Sequence, residues 1–290
     1  MRGALIAVVL VLALGSVAAD ASTPALPHVT LIGDSVADAI EQDNAAIATL
    51  EQGVSVDFEV APCRRLDGQS CPYNGSTPPT LVQLAQTMGA KLGPNVIVAV
   101  GYNDFETQYA QNIETALAAL EAAGVKHVWW LTLRASRHPY LTMNADIAAA
   151  AANHPELTVI DWNLYSRSHP SWFQADGVHL LEAGSIGMAT LIHQTLVNDG
   201  VALKPVKVAS TQLPTAHRGR RYAARLRATA GLAPYRWSLL ERAPKGLRLL
   251  ASGAILGDPE VPPGRYVLGF RVTDAVGSFA TRQLTLRVRL

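Results

Sequence analysis

Cysteine is nearly missing from this sequence, with two among 290 residues and no Cys-x-x-Cys pair. Neither a thiol redox motif nor a zinc site built from thiolates is therefore available. Charge is scarce too: Asp, Glu, Lys and Arg make up 16% of the chain against 49% hydrophobic residues, far from the polar composition of disordered proteins. Neither sign prevails, since 24 basic and 23 acidic residues leave +1, and a near-neutral chain has no overall attraction for nucleic acid. After residue 21 no apolar run approaches the roughly 20 residues that cross a bilayer, so no transmembrane segment is expected in the mature chain.

What is present is unevenly spread. Up to Leu203 there are 8 basic and 19 acidic residues, a net of −11, and beyond it 16 basic and 4 acidic, a net of +12. Two domains of opposite charge are expected, which also suits the length at roughly 100–200 residues per domain. At the start, Arg2, the apolar run from Ala4 to Val17 and Ala19-Asp20-Ala21 have the three parts of a secretory signal peptide over residues 1–21. The alternative is a retained anchor, for which the run is short. A secreted or cell-envelope protein meets an oxidising compartment, where Cys63 and Cys71 are expected to pair rather than remain free. Closing so small a ring stabilises by only about 2.5 kcal/mol in the chain-entropy model, so the bridge would chiefly shape one loop.

Between residues 22 and 203, short apolar runs alternate with helix-length segments. Strands are expected at His28–Ile32, Ser55–Val60, Asn95–Val100, His127–Leu133 and Leu157–Asp161, and helices at Ser35–Leu50, Thr80–Met88, Gln108–Ala123, Leu141–Ala152 and Glu182–Asn198. Strands apolar on nearly every residue, separated by helices, imply an α/β fold: a flavodoxin-like parallel sheet covered on both faces. Beyond a linker at 204–210 the pattern changes to period two: Leu284, Leu286 and Val288 alternate with Thr285, Arg287 and Arg289. Residues 211–290 are expected to form a small all-β sandwich.

Ligand sites in such α/β sheets lie outside the carboxyl ends of the strands, and three motifs fall there. Gly33-Asp34-Ser35 puts a serine hydroxyl at a helix start where backbone N–H groups are unpaired, although Asp and Ser are also ordinary helix caps. Gly101-Tyr102-Asn103-Asp104 can aim an amide donor at the same cleft, or be a plain turn. In Asp176-Gly177-Val178-His179 the carboxylate can orient one ring nitrogen while the other faces a hydroxyl, as a Ser-His-Asp triad requires. Half a metal site is the alternative, but no further ligand cluster has matching spacing. The coincidence of order and place favours nucleophilic catalysis with no metal and no cofactor.

These three blocks resemble those of the SGNH, or GDSL-like, hydrolases, over about Pro27 to Asn198. The resemblance implies ester hydrolysis or acyl transfer, with Ser35 as nucleophile, His179 as base and Asp176 as its orienter. It also implies an oxyanion hole from the N–H of Ser35, a second-block N–H and the Asn103 side chain. The family has glycine in the second block, where this chain has Cys63 in Val60-Ala61-Pro62-Cys63-Arg64-Arg65; a backbone donor needs no particular side chain. The Cys63–Cys71 bridge could hold the loop that glycine would have allowed. Val36 replaces the family's leucine. The β module, through Leu213-Pro214, Pro234-Tyr235-Arg236-Trp237, the Ser252–Gly257 turn and Val272-Thr273-Asp274, resembles an immunoglobulin-like repeat of bacterial surface and secreted proteins, which implies no catalysis.

Other residues are read more plainly. Arg64 and Arg65 could meet a carboxylate or phosphate of the substrate, or simply be solvated. Tyr102, Trp172 and Phe173 are candidate pocket walls, and Trp129 and Trp130 belong to the core. The arginines of the β module form a basic face that could dock on the acidic domain or bind an anionic cell-envelope polymer or lipid surface. The leading expectation is an exported serine esterase acting on an acylated carbohydrate or lipid. The alternatives are an O-acyltransferase on envelope polysaccharide and an envelope-binding protein with a vestigial site.

Overall fold

The computed structural model describes residues 25–290; the expected signal peptide lies outside the described residues. Five strands, β1 (His28–Gly33), β2 (Ser55–Val60), β3 (Asn95–Ala99), β4 (His127–Leu131) and β5 (Leu157–Ile160), form one sheet in the order β2-β1-β3-β4-β5. Every pairing in it is parallel. The central strands are apolar on both faces because helices cover both: Leu31 and Ile32 on β1, Ile97 and Val98 on β3, and Trp130 on β4 are all fully buried. Trp129 and Trp130 point to opposite sides and both belong to the core, Trp129 donating its ring N–H to Asp199 at 2.7 Å. The strand order changes direction between β1 and β3, and such a switch point opens a crevice at the carboxyl edge.

The helices are α1 (Ser35–Glu41), α2 (Asn44–Leu50), α3 (Leu81–Met88), α4 (Glu106–Ala122), α5 (His138–Asn153), α6 (Trp162–Ser166) and α7 (Glu182–Asn198). The single helix expected over Ser35–Leu50 is broken. Asp43 stops it by accepting from the N–H groups of Ala45 and Ala46 and from the Ser185 hydroxyl, which caps a fresh helix. Helix α6 lies where none of the expected helices falls, capped by Asp161, whose carboxylate accepts from Leu164 N–H at 2.9 Å.

The C-terminal unit has its own core, including Trp237, Phe270, Val272, Leu284, Leu286 and Val288. Its largest sheet joins β10 (Arg236–Leu239), β13 (Gly264–Thr273), β14 (Phe279–Arg289) and β7 (Ala216–His217), and a smaller one joins β11 (Leu247–Leu249), β12 (Ala254–Gly257) and β8 (Tyr222–Arg225). The stretch expected as a linker contains a strand, β6 (Lys207–Val208), paired antiparallel with β9 (Ala228–Thr229). Val206 and Val208 are buried, so these residues belong to the β unit's core rather than to a free tether. Among the described residues no ion pair joins the two units.

Candidate active site

The site grows from the end of β1. A Cβ at Gly33 would stand 2.4 Å from Ala37 Cβ and 3.0 Å from Val60, so only glycine lets the chain turn this tightly into α1. Asp34 follows, fully buried, and its carboxylate does more than cap. Oδ1 accepts from Val36 N–H at 3.0 Å, while Oδ2 accepts from Gly101 and Tyr102 N–H at 3.2 and 3.1 Å. Asp34 thus ties the loop after β1 to the loop after β3. Burial pushes its pKa up to about 6, against the pull of those three amides.

Ser35, the first residue of α1, is placed by this turn, and its Oγ lies 3.0 Å from His179 Nε2. The histidine comes from a hairpin between α6 and α7 in which Phe173 pairs with Leu180 and Gln174 N–H donates to His179 O at 2.8 Å. Gly177 takes the turn at φ 72°, in the left-handed region that favours glycine. Asp176 is held by the N–H groups of Val178 and His179, at 2.8 and 3.0 Å, and its Oδ2 stands 2.5 Å from His179 Nδ1. Burial works to raise the Asp176 pKa, but the His179 ring and the two amides outweigh it and hold the group at about 2. An ionised carboxylate only accepts, so Nδ1 carries the proton and Nε2 is free to accept from Ser35.

The second and third blocks meet on the other side of Ser35. Asn103 Nδ2 donates to Arg64 O at 3.3 Å, and Cys71 Sγ lies 4.0 Å from Asn103 Oδ1. Cys63 and Cys71 are bridged, with Cα atoms 5.1 Å apart. Cys63 adopts φ 70°, the left-handed conformation that glycine takes freely and other residues at a cost. The backbone is thus of the glycine kind although the residue is not, and the bridge constrains it. Among the described residues no acceptor pairs with the N–H of Cys63 or of Ser35. Asp104 fastens the second block from below: both its oxygens accept from Leu66 N–H, at 3.1 and 3.2 Å, and burial pushes its pKa up to about 7.

A cleft of about 170 Å³ lies over the hydroxyl, lined by Ser35, Tyr102, Asn103, Arg137, Tyr140 and the Asp176–His179 pair with Val178. Tyr102 forms wall as expected, its hydroxyl accepting from Arg134 N–H at 2.7 Å and its ring meeting Tyr140 edge-on. Two expected substrate contacts are corrected. Arg64 is buried, with Nε donating to Gly33 O at 3.2 Å and Nη1 to Pro79 O at 2.8 Å; its guanidinium is spent on backbone carbonyls at the end of β1 and before α3 rather than on the cleft. Trp172 is also elsewhere. It stacks on His169 at 3.9 Å and fits against α7, where a Cβ on Gly187 would come within 2.5 Å of its ring. Phe173, buried under the Arg134 guanidinium at 3.7 Å, does not line the cleft either. Sequence reasoning missed the bridging part of Asp34 and Asp104, which adjoin the motifs, and it missed Arg137 and Tyr140, for which no motif gave a signal.

Among the described residues no three His, Cys, Asp or Glu side chains gather as a metal-binding group, and no helix is long and apolar enough to cross a membrane.

Comparison with known proteins agrees in part with this picture. The chain is 29% identical over 117 residues to a protein of Bacillus subtilis (strain 168) named putative peptidoglycan O-acetyltransferase YrhL, covering 40% of this chain and 18% of that one. It is 31% identical over 107 residues to O-acetyltransferase OatA of Staphylococcus aureus (strain NCTC 8325 / PS 47), covering 37% and 17%. The chain therefore matches less than a fifth of the length of these relatives, at 18% and 17%. Among solved structures, the C-terminal catalytic domain of Streptococcus pneumoniae peptidoglycan O-acetyltransferase A aligns with a TM-score of 0.46 and 20% identity, over 61% of this chain and 96% of that one. Residues 204–289 match the family model described as Putative Ig domain. The chain thus joins an α/β unit with a parallel five-stranded sheet, carrying the three motifs that resemble those of SGNH hydrolases, to a C-terminal unit that matches an Ig-like family model.

Proposed function

We propose that the N-terminal unit moves a short acyl group, of acetyl size, between oxygen atoms through an ester on Ser35, and that the acceptor is a hydroxyl group of a cell-envelope polysaccharide. The observation that carries this reading is the unbroken relay from Asp176 through His179 to the Ser35 hydroxyl, at 2.5 and 3.0 Å. In the first step Ser35 Oγ bonds to the ester carbonyl carbon and its proton passes to His179 Nε2; that proton then leaves with the departing alcohol as the old C–O bond breaks. The negative oxygen faces the N–H of Ser35, the Cys63 region and the Asn103 amide. In the second step the acceptor hydroxyl gives its proton to His179 and bonds to the acyl carbon; the bond from that carbon to Ser35 Oγ breaks and His179 returns the proton to Oγ, restoring the hydroxyl.

Acyl size follows from space. The cleft of about 170 Å³ is well below the roughly 300–1,000 Å³ of drug-sized pockets, which suits a two-carbon acyl group better than a fatty chain. Transfer rather than hydrolysis is supported by the relatives named O-acetyltransferases. Release to water, an esterase reaction, is the second reading, and the 44% exposure of the His179 side chain favours it. We also place the protein in the cell envelope, where the Cys63–Cys71 bridge persists, with the basic outer face of the Ig-like unit holding an anionic polymer there. Salt-sensitive sedimentation with cell-wall material tests that tether.

The chemistry is tested with 4-nitrophenyl acetate, with and without a chitooligosaccharide acceptor. An acetyl adduct on the Ser35 peptide is expected, absent in Ser35→Ala, with acetylated sugar formed in the presence of acceptor. Acetate alone in both arms selects the esterase. No adduct and no turnover by the wild type overturns the proposal and leaves a vestigial site.

A further inference from the structure

We propose that Arg137 is an anion-binding subsite beside Ser35, taking an oxyanion group, carboxylate or phosphate, carried by the sugar whose hydroxyl is acylated. This rests on the acyl-transfer reading above. Four arginines stand on the loops at the carboxyl edge of the sheet, and three have their guanidinium groups engaged. Arg64 donates to Gly33 O and Pro79 O. Arg65 donates to Gln69 O and lies over the Phe105 ring at 4.2 Å. Arg134 donates to Ser166 O and covers Phe173. Arg137 is different: exposed, meeting neither carboxylate nor carbonyl among the described residues, it lines the cleft together with Ser35, Asn103 and His179.

Its position brings no gain in stability. Arg137 is the N-cap of α5, makes no side-chain cap bond and is followed by His138, so its charge faces the positive end of the helix dipole. Its cationic charge matters for binding, because residues 1–203 carry a net −11 and a like-charged substrate needs one local positive group to approach the nucleophile. A planar guanidinium offers two parallel N–H donors to either carboxylate or phosphate. The cleft's other charged group, Asp176, is held by the His179 ring, which leaves Arg137 to select the substrate.

The test compares three acetyl esters of one sugar with the full-length protein: the uronic acid, its neutral methyl amide and the 6-phosphate. The readout is the ratio of kcat/KM for each anionic ester to that for the neutral one. A ratio of about tenfold or more is expected for at least one anion in the wild type, as for a hydrogen bond to a charged group. It should fall to near one in Arg137→Gln and stay intermediate in Arg137→Lys, which keeps the charge but loses the fork. Whichever anionic ester shows the larger ratio identifies carboxylate or phosphate. An equal ratio in wild type and Arg137→Gln overturns the subsite. Should the wild type form no acetyl-Ser35 at all, the acyl-transfer reading fails separately. NMR titration of the unacetylated uronic acid and sugar phosphate into Ser35→Ala and Ser35→Ala/Arg137→Gln then decides: weakening of about fivefold or more upholds the subsite, and equal binding rejects it.

Discussion

Replacing the bridge around Cys63 separates two ways in which this loop could present its N–H to the reacting carbonyl. Cys63 sits at φ 70°, a conformation that costs a residue with a Cβ roughly 1–2 kcal/mol and costs glycine almost nothing. The disulfide to Cys71 offsets that cost through a ring whose contribution is about 2.5 kcal/mol. With the bridge removed, the rest of the loop stays anchored by Arg64 on Gly33 O and Pro79 O and by Leu66 N–H on Asp104, so the effect should be local. In Cys63→Ala/Cys71→Ser the alanine is free to leave the left-handed region, and the donor is presented in only a fraction of molecules. A penalty of 1–2 kcal/mol corresponds to a loss in kcat of roughly 5- to 30-fold, at about 1.36 kcal/mol per factor of ten. Cys63→Gly/Cys71→Ser removes the same bridge but not the preference, and its kcat should exceed that of the alanine variant by roughly fivefold or more. The assay is steady-state turnover of 4-nitrophenyl acetate, with urea unfolding of both variants to show that each is folded at the assay temperature. Equal rates in the two variants would refute the assignment of the loop's N–H as a donor fixed by its backbone conformation.

Three further outcomes are expected. Asn103→Ala should lower kcat by about 10²- to 10³-fold with little change in KM, as for loss of one oxyanion donor, and an unchanged kcat removes Asn103 from the mechanism. Asp34→Asn keeps the shape but puts an amide where Oδ2 and Oδ1 accept from three N–H groups; at least one charge-assisted bond is lost, and a fall of about 1.5–3 kcal/mol in urea-unfolding stability is expected, together with slower turnover. For pH, burial raises Asp104 from 3.8 to about 7 and Asp34 to about 6. The folded protein therefore holds protons that the unfolded chain has released in this window, and stability falls as pH rises from about 4 to about 7. Asp176, held at about 2, acts only below that window, where its stabilisation is lost as pH falls. The urea midpoint should drop between pH 5 and pH 8, by less in Asp104→Asn; a midpoint that rises contradicts the burial of these carboxyls.

Much of the architecture could be read from the sequence because it depends on short-range pattern. Short apolar runs alternating with helix-length segments imply strands covered on both faces, and the helix Glu182–Asn198 was legible end to end. The break at Asp43 was not, since the groups that decide it include Ser185 from a distant helix. The strand β6 in the expected linker escaped for a related reason: two residues carry no period, and pairing with Ala228–Thr229 makes them a strand.

The site divides in the same way. The types and order of Ser35, Asn103, Asp176 and His179 were fixed by local chemistry: a serine at a strand end, an amide after a glycine, and a carboxylate three residues before an imidazole. Which cation faces the substrate was not, because exposure is a property of the assembled loops. Arg64 turned inward to donate to the carbonyls of Gly33 and Pro79, while Arg137, two strands further along the chain, was left at the cleft. Likewise Trp172 is drawn from the pocket to α7 by the space at Gly187, and Asp34 becomes the staple between two loops only once β1 and β3 lie side by side. A sequence names the reactive groups because their chemistry is intrinsic; it leaves open which of the remaining polar side chains meet solvent, since that depends on where the folded backbone lacks hydrogen-bond partners.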